Sequence, residues 1–208
     1  GPLLLEAITS VSSHFFSKFA SREALAAEPD VAEEYFCLLQ KCVQVAPALY
    51  FSFIKASNME EGLYKAGIVA LHINHRDVHR GVLSFFAALV IAARNSSSDK
   101  RSSNRSRRGG GGSGNDKIET PENLAAAKAI QLAAAEVICS SVGAHLVSAL
   151  MCVLYSVEYK YALGGDTSKQ GLVLLGLVRV VKMRAGDAEQ AKGLFGQWWE
   201  HGLKAVEA

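Results

Sequence analysis

Between Asp30 and Arg94 two helical patterns follow one another, and they constrain the fold more than any other stretch of this chain. In DVAEEYFCLLQKCVQVAP the apolar residues Val31, Tyr35, Phe36, Leu38, Leu39, Cys42, Val43 and Ala46 recur at helical spacing. In NHRDVHRGVLSFFAALVIAAR the residues Val78, Val82, Phe85, Phe86, Leu89 and Val90 do the same. Each stripe is too wide for one helix to bury alone, so each demands neighbouring helices. Packed helices of this kind present surfaces for binding rather than a catalytic pocket.

Other segments extend the pattern. Leu3 to Phe19 reads as a helix with Leu4, Leu5, Ile8, Phe15, Phe16 and Phe19 on one side. Pro29 suits the first turn of the helix that ends before Pro47, because a first-turn N–H needs no partner there. Pro47 to about Lys55 and Glu60 to Ile73 read as one interrupted helix returning antiparallel. Asn74 suits the N-cap of the next helix, with Asp77 favouring its positive end. Helix resumes at Thr120-Pro121-Glu122, runs Ala-rich to about Ser141, and continues from Gly143 to Tyr161. Gly164-Gly165 reads as a turn. Gly171 and Gly176 weaken the helical pattern of Thr167 to Met183. Asp187 with Gln190 reads as a capping box opening a last helix with Leu194, Phe195, Trp198, Trp199 and Leu203. No strand pair or hairpin turn is visible. The expected fold class is all-α: antiparallel helix pairs stacked as an α-solenoid, with helix starts near Asp30 and His75 that fit a repeat of roughly 45 residues. Residues 1–94 and 118–208 would form one continuous row, interrupted by 95–117.

Composition narrows the function classes. In 208 residues half are hydrophobic and a fifth charged, which reads as globular and soluble. The net charge of +2 is uneven: residues 95–117 carry six basic and two acidic side chains, a net +4, which leaves −2 for the rest. A nucleic-acid-binding core is therefore not expected. The segment from Asn95 to Asp116 is Ser-, Arg- and Asn-rich with four consecutive glycines, and it reads as a disordered insert. Within it Ser102, Ser103, Arg105, Ser106, Arg107 and Arg108 are candidates for phosphorylation, a basic localisation signal or weak nucleic-acid contact. The cysteines Cys37, Cys42, Cys139 and Cys152 form no C-x-x-C pair and read as small buried hydrophobes in a reducing compartment. The start at Gly1-Pro2 suggests a fragment of a longer chain.

Reactive chemistry is weakly signalled. His75 and His79 share a helix face near His72, but nothing at matching spacing completes a zinc site, so solvent-facing polar residues at a helix start are expected. Gly164-Gly165-Asp166-Thr167-Ser168-Lys169 lacks the order of a phosphate loop and reads as a turn. No nucleophile triad is recognisable, and neither metal nor cofactor is expected. Val137 to Val157 lacks any charged residue. Its Ser140, Ser141, Gly143, His145 and Ser148 favour a buried helix pair over a membrane span. Trp198 and Trp199 point about 100° apart on a helix, so one is expected inside and Trp199 at a seam or partner surface.

Four segments carry a family resemblance: AEEYFCLLQKCVQVAPALYF, HRDVHRGVLSFFAALV, GAHLVSALM and LFGQWWEHGLKAV. Together, and in this order, they resemble the carboxy-terminal HEAT repeats of importin-β-type nuclear transport receptors, nearest the transportin-SR subfamily, over Pro29 to Val206 outside the insert. The resemblance implies a HEAT/ARM-like solenoid that holds protein cargo without catalysis, in cytoplasm and nucleus. It implies regulation by the Ran GTPase through repeats absent here, with nucleoporins as further partners. The basic insert departs from the family pattern. Cargo contacts are expected on the second helix of each pair, at Lys55, Glu60, Glu61 and Lys65, with Trp199 as a further anchor. The alternatives are a HEAT-type scaffold of a cytosolic multiprotein complex and a helical domain handling small molecules or lipids.

Overall fold

A computed structural model of the chain describes residues 2–19, 21–57, 59–94, 121–155, 168–185 and 187–207. Among these residues it is all-helical, with ten helices and no strand. They are α1 (Pro2–Lys18), α2 (Arg22–Ala27), α3 (Pro29–Val45), α4 (Pro47–Ser57), α5 (Glu60–Ala70), α6 (Arg76–Arg94), α7 (Pro121–Cys139), α8 (Ser141–Tyr155), α9 (Ser168–Arg184) and α10 (Ala188–Glu207).

Local chemistry sets most of the boundaries. Ser21 caps α2 by accepting the Ala24 N–H at 3.2 Å. Pro29 occupies the first turn of α3, and that helix closes where the Ala46 N–H donates to the Cys42 carbonyl ahead of Pro47. The Asp187 carboxylate accepts the Gln190 N–H at 2.7 Å and opens α10. Between α7 and α8, the Ser140 hydroxyl donates to the Val137 carbonyl at 2.6 Å and accepts the Val142 N–H at 3.2 Å. This hydroxyl holds a 60° bend.

α6 is the axis of the fold. Its residues Val78, His79, Gly81, Val82, Leu83, Phe85, Phe86, Ala88, Leu89, Val90 and Ala93 are all buried, a wide apolar face that leaves Arg80, Ser84 and Ile91 on the other side. It packs most extensively against α3, then against α9 and α7. Phe85 is the hub of this contact, with ring centroids 6.0 Å from Phe36, 6.2 Å from Tyr50 and 6.2 Å from Tyr64. One ring thus ties α3, α4, α5 and α6 together. A second extensive contact joins α8 to α10. There Gly143 gives room to Trp198, and Gly202 to Met151.

Several expectations need correction. Arg22–Ala27 is a helix that the sequence pattern does not reveal. α6 starts one residue later than an Asn74 cap would place it: His75 is the cap position, its carbonyl accepting the His79 N–H at 3.1 Å. α5 ends at Ala70, not Ile73. α4 and α5 are separate helices with different neighbours, α4 against α1, α3 and α7, and α5 chiefly against α8. α3 turns into α4 through 120°. The most extensive contacts fall between helices two or three places apart among the ten, not between the successive helices that the sequence reading pairs. Val31 and Leu38 are exposed, while Ala32, Tyr35, Phe36, Leu39 and Val43 of the same helix are buried. Of the cysteines only Cys42 is buried; Cys37, Cys139 and Cys152 are half-buried, and all four are free thiols.

No single helix among the described residues is long and apolar enough to cross a membrane, and the Val137–Val157 run is bent where α7 meets α8.

Candidate functional site

The expected partner-contact residues lie in two groups. Lys55 is exposed near the end of α4, Glu61 and Lys65 are exposed one turn apart on α5, and Glu60 is the first residue of α5. Trp199 lies on α10, 40% exposed, while Trp198 turns inward at 4%. Among the described residues no hydrogen bond, ion pair or ring contact joins the α4–α5 group to Trp199. Ser102, Ser103, Arg105, Ser106, Arg107 and Arg108, with the rest of the basic insert, lie outside the described residues, as does the Gly164–Thr167 turn.

A polar seam crosses α3, α6 and α9. Glu33 on α3 pairs with Arg80, whose other nitrogen lies 3.1 Å from Asp77. These two carboxylates hold the guanidinium more firmly charged. The Ser84 hydroxyl donates to the Arg80 carbonyl at 2.6 Å and accepts from Lys169 of α9 at 3.2 Å. Gly81 lets the Glu33 backbone come this close: a Cβ there would sit 3.0 Å from the Glu33 carbonyl. Beside the seam, burial pushes the Cys37 thiol up, and the Glu33 and Glu34 charges add to the shift. Thiolate is thereby disfavoured, and Cys37 is a poor nucleophile.

The structure brings together a serine and a histidine that nothing in the sequence connects. Ser148, buried on α8, shares a 2.7 Å hydrogen bond with His201 Nδ1 on α10 and lies 3.1 Å from the Ala144 carbonyl. The His145 ring meets the His201 ring edge-on at 5.6 Å. Among the described residues no carboxylate orients His201, so the contact lacks the third member that activates a serine. Its effect is to satisfy a buried hydroxyl and fasten α8 to α10.

The histidine turn between α5 and α6 also differs from expectation. His79 does not face solvent; it is 1% exposed. Burial pushes its pKa down, and the neighbouring His72 and His75 add to this, against the backbone of Ile73 and Leu71. His72 is lowered by burial and then by the Arg22 charge. Among the described residues no group of three or more His, Cys, Asp or Glu side chains is placed to hold a metal ion.

One concavity among the described residues is apolar. A groove of about 350 Å³ between α1 and α3 is lined by Val11, Phe15, Phe19, Val31, Tyr35 and Leu38, with His14 and Glu34 at its rim. In its floor Phe15 stacks on Tyr35 at 3.8 Å, and the Tyr35 hydroxyl donates to Ser12 at 3.0 Å. Val31 and Leu38 were visible in the α3 stripe; Val11 and His14 carried no signal, because their role depends on how α1 crosses α3.

No family model, no curated protein and no solved structure matches the chain.

Proposed function

We propose that this chain is a non-catalytic, protein-binding stack of HEAT-like helices, the cargo-holding part of an importin-β-type nuclear transport receptor. One observation carries the reading. The four segments that bear the resemblance become α3 with the start of α4, α6, α8 and α10, and these helices make the two most extensive contacts of the fold, α3 with α6 and α8 with α10. The resemblance therefore falls on the framework and not on peripheral turns. Two of the polar contacts described above, the Glu33–Arg80 pair and the Ser148–His201 bond, join one helix to another.

In this reading the stack works by adaptable shape. Small rotations at the contacts of α6 add up along the row, so that the exposed side chains of Lys55, Glu61, Lys65 and Trp199, with Glu60 at the start of α5, close on a folded partner. The test is a pull-down of nuclear proteins by the longest natural protein containing this sequence, with and without GTP-loaded Ran GTPase. Bound protein released by Ran supports the reading. Protein retained equally under both conditions replaces it with a static scaffold.

A further inference from the structure

We propose that the outer face of α9 is a docking strip for an acidic, amphipathic helical segment of another protein. Leu172, Leu175, Arg179, Lys182 and Met183 fall within an arc of about 100° on a helix of 3.6 residues per turn. Leu172 is 64% exposed, Leu175 60% and Met183 49%. The opposite face of α9 is already spent: Val173, Leu177, Val180 and Val181 are buried, and Gly176 lies directly against Val90 of α6. α9 is thus apolar on two sides with a partner on only one, whereas a helix apolar all round is normally enclosed.

Charge selects the occupant. From Ser168 to Ala185 there are four cations, Lys169, Arg179, Lys182 and Arg184, and no acid. Lys169 is held by Ser84, and Arg184 approaches Glu136 at 3.7 Å. Arg179 and Lys182 have no ion-pair partner among the described residues, and they flank the leucines and the methionine. An incoming helix with apolar residues at i, i+3 or i+4, and i+7, and carboxylates beside them, satisfies both features at once. From Leu172 to Met183 the strip is about 16 Å long at 1.5 Å per residue, which matches three turns of such a helix. Met183 suits a surface that adapts to its ligand. An anionic bilayer fits less well. The strip offers two cations without an ion-pair partner among the described residues, Arg179 and Lys182, fewer than the roughly four to eight clustered basic residues that hold a protein on anionic lipid. The strip stands on its own geometry and does not depend on the transport reading.

The test uses the full chain and a fluorescently labelled synthetic peptide of about 15 residues with leucines at helical spacing and glutamates between them. Fluorescence anisotropy should show saturable binding that weakens with added salt. The exposed double substitution Arg179→Glu/Lys182→Glu should weaken it at least about tenfold, and a peptide with lysines for glutamates should then bind the variant instead. Leu175→Ser should weaken binding without restoring it to the lysine peptide. Four outcomes overturn the proposal. One is wild-type chain that ignores the acidic peptide, and a second is a charge-reversed variant that binds it equally. Another is sedimentation with phosphatidylserine vesicles in place of peptide binding, abolished by the same double substitution. The last is concentration-dependent self-association that the double substitution removes, which makes a second copy the occupant.

Discussion

Trp198 and Trp199 differ by one step along α10 and by nearly everything else. Trp198 packs where Gly143 leaves room for its ring, while Trp199 stacks on Phe195 at 6.3 Å with one face toward water. Trp198→Ala should cost about 3–5 kcal/mol of stability by removing a buried aromatic. Trp199→Ala should stay within about 0.5–1 kcal/mol. Denaturant titrations of the two variants check the difference, and equal losses would contradict the assignment of inside and outside. The same scale ranks the contacts of α6. Phe85 is fully buried among Phe36, Tyr50 and Tyr64, so Phe85→Ala should cost about 3–5 kcal/mol. Arg80→Ala should leave the melting temperature nearly unchanged, because its ion pairs with Glu33 and Asp77 are made by a solvent-exposed guanidinium.

At the scale of elements, the turn from α5 to α6 carries a pH dependence. The folded-state pKa values of His79 and His72 lie below the ordinary histidine value, with burial the main cause in both. Below pH about 6.5 the unfolded chain takes up protons that the folded chain resists, so the unfolded state binds more of them and stability falls. This contribution is whole above about 6.5 and is lost as the pH drops through the lower folded values. Urea denaturation midpoints measured from pH 8 to 5 should fall on the acid side, and His79→Gln should flatten that limb. A profile identical in the variant would remove His79 as the cause. Tyr35 acts at the other end. Burial pushes its phenol up to about 12, against the opposing effect of the Ser12 hydrogen bond. Its share of stability is therefore present below about 10 and is lost as the pH rises toward 12.

For the whole molecule, α6 is the helix on which α3, α7 and α9 converge, with α8 and α10 fastened to each other beside it. Opening α6 to solvent requires breaking its contacts with α3, α7 and α9. Its amides should be the slowest to exchange, slower by orders of magnitude than those of α2, a six-residue helix whose one buried side chain is Leu25. Hydrogen-exchange mass spectrometry checks this order. Equal protection of α2 and α6 would mean that the stack does not centre on α6.

The all-helical class, the starts of α3 and α10 and the apolar face of α6 were legible because they depend on spacing and capping, which are properties of neighbouring residues. The six-residue α2 is too short to show a period. Gly176 reads as a helix weakener by propensity, yet in the fold it is what lets α9 lie against Val90. The burial of His79, the meeting of Ser148 with His201 and the exposure of Leu172 and Leu175 were decided by tertiary structure alone. Each depends on which helix lies against which, and that follows from the fit of whole surfaces that are far apart in the chain. A stripe states that a helix needs a partner; only the packed molecule states which one, and which faces remain without one.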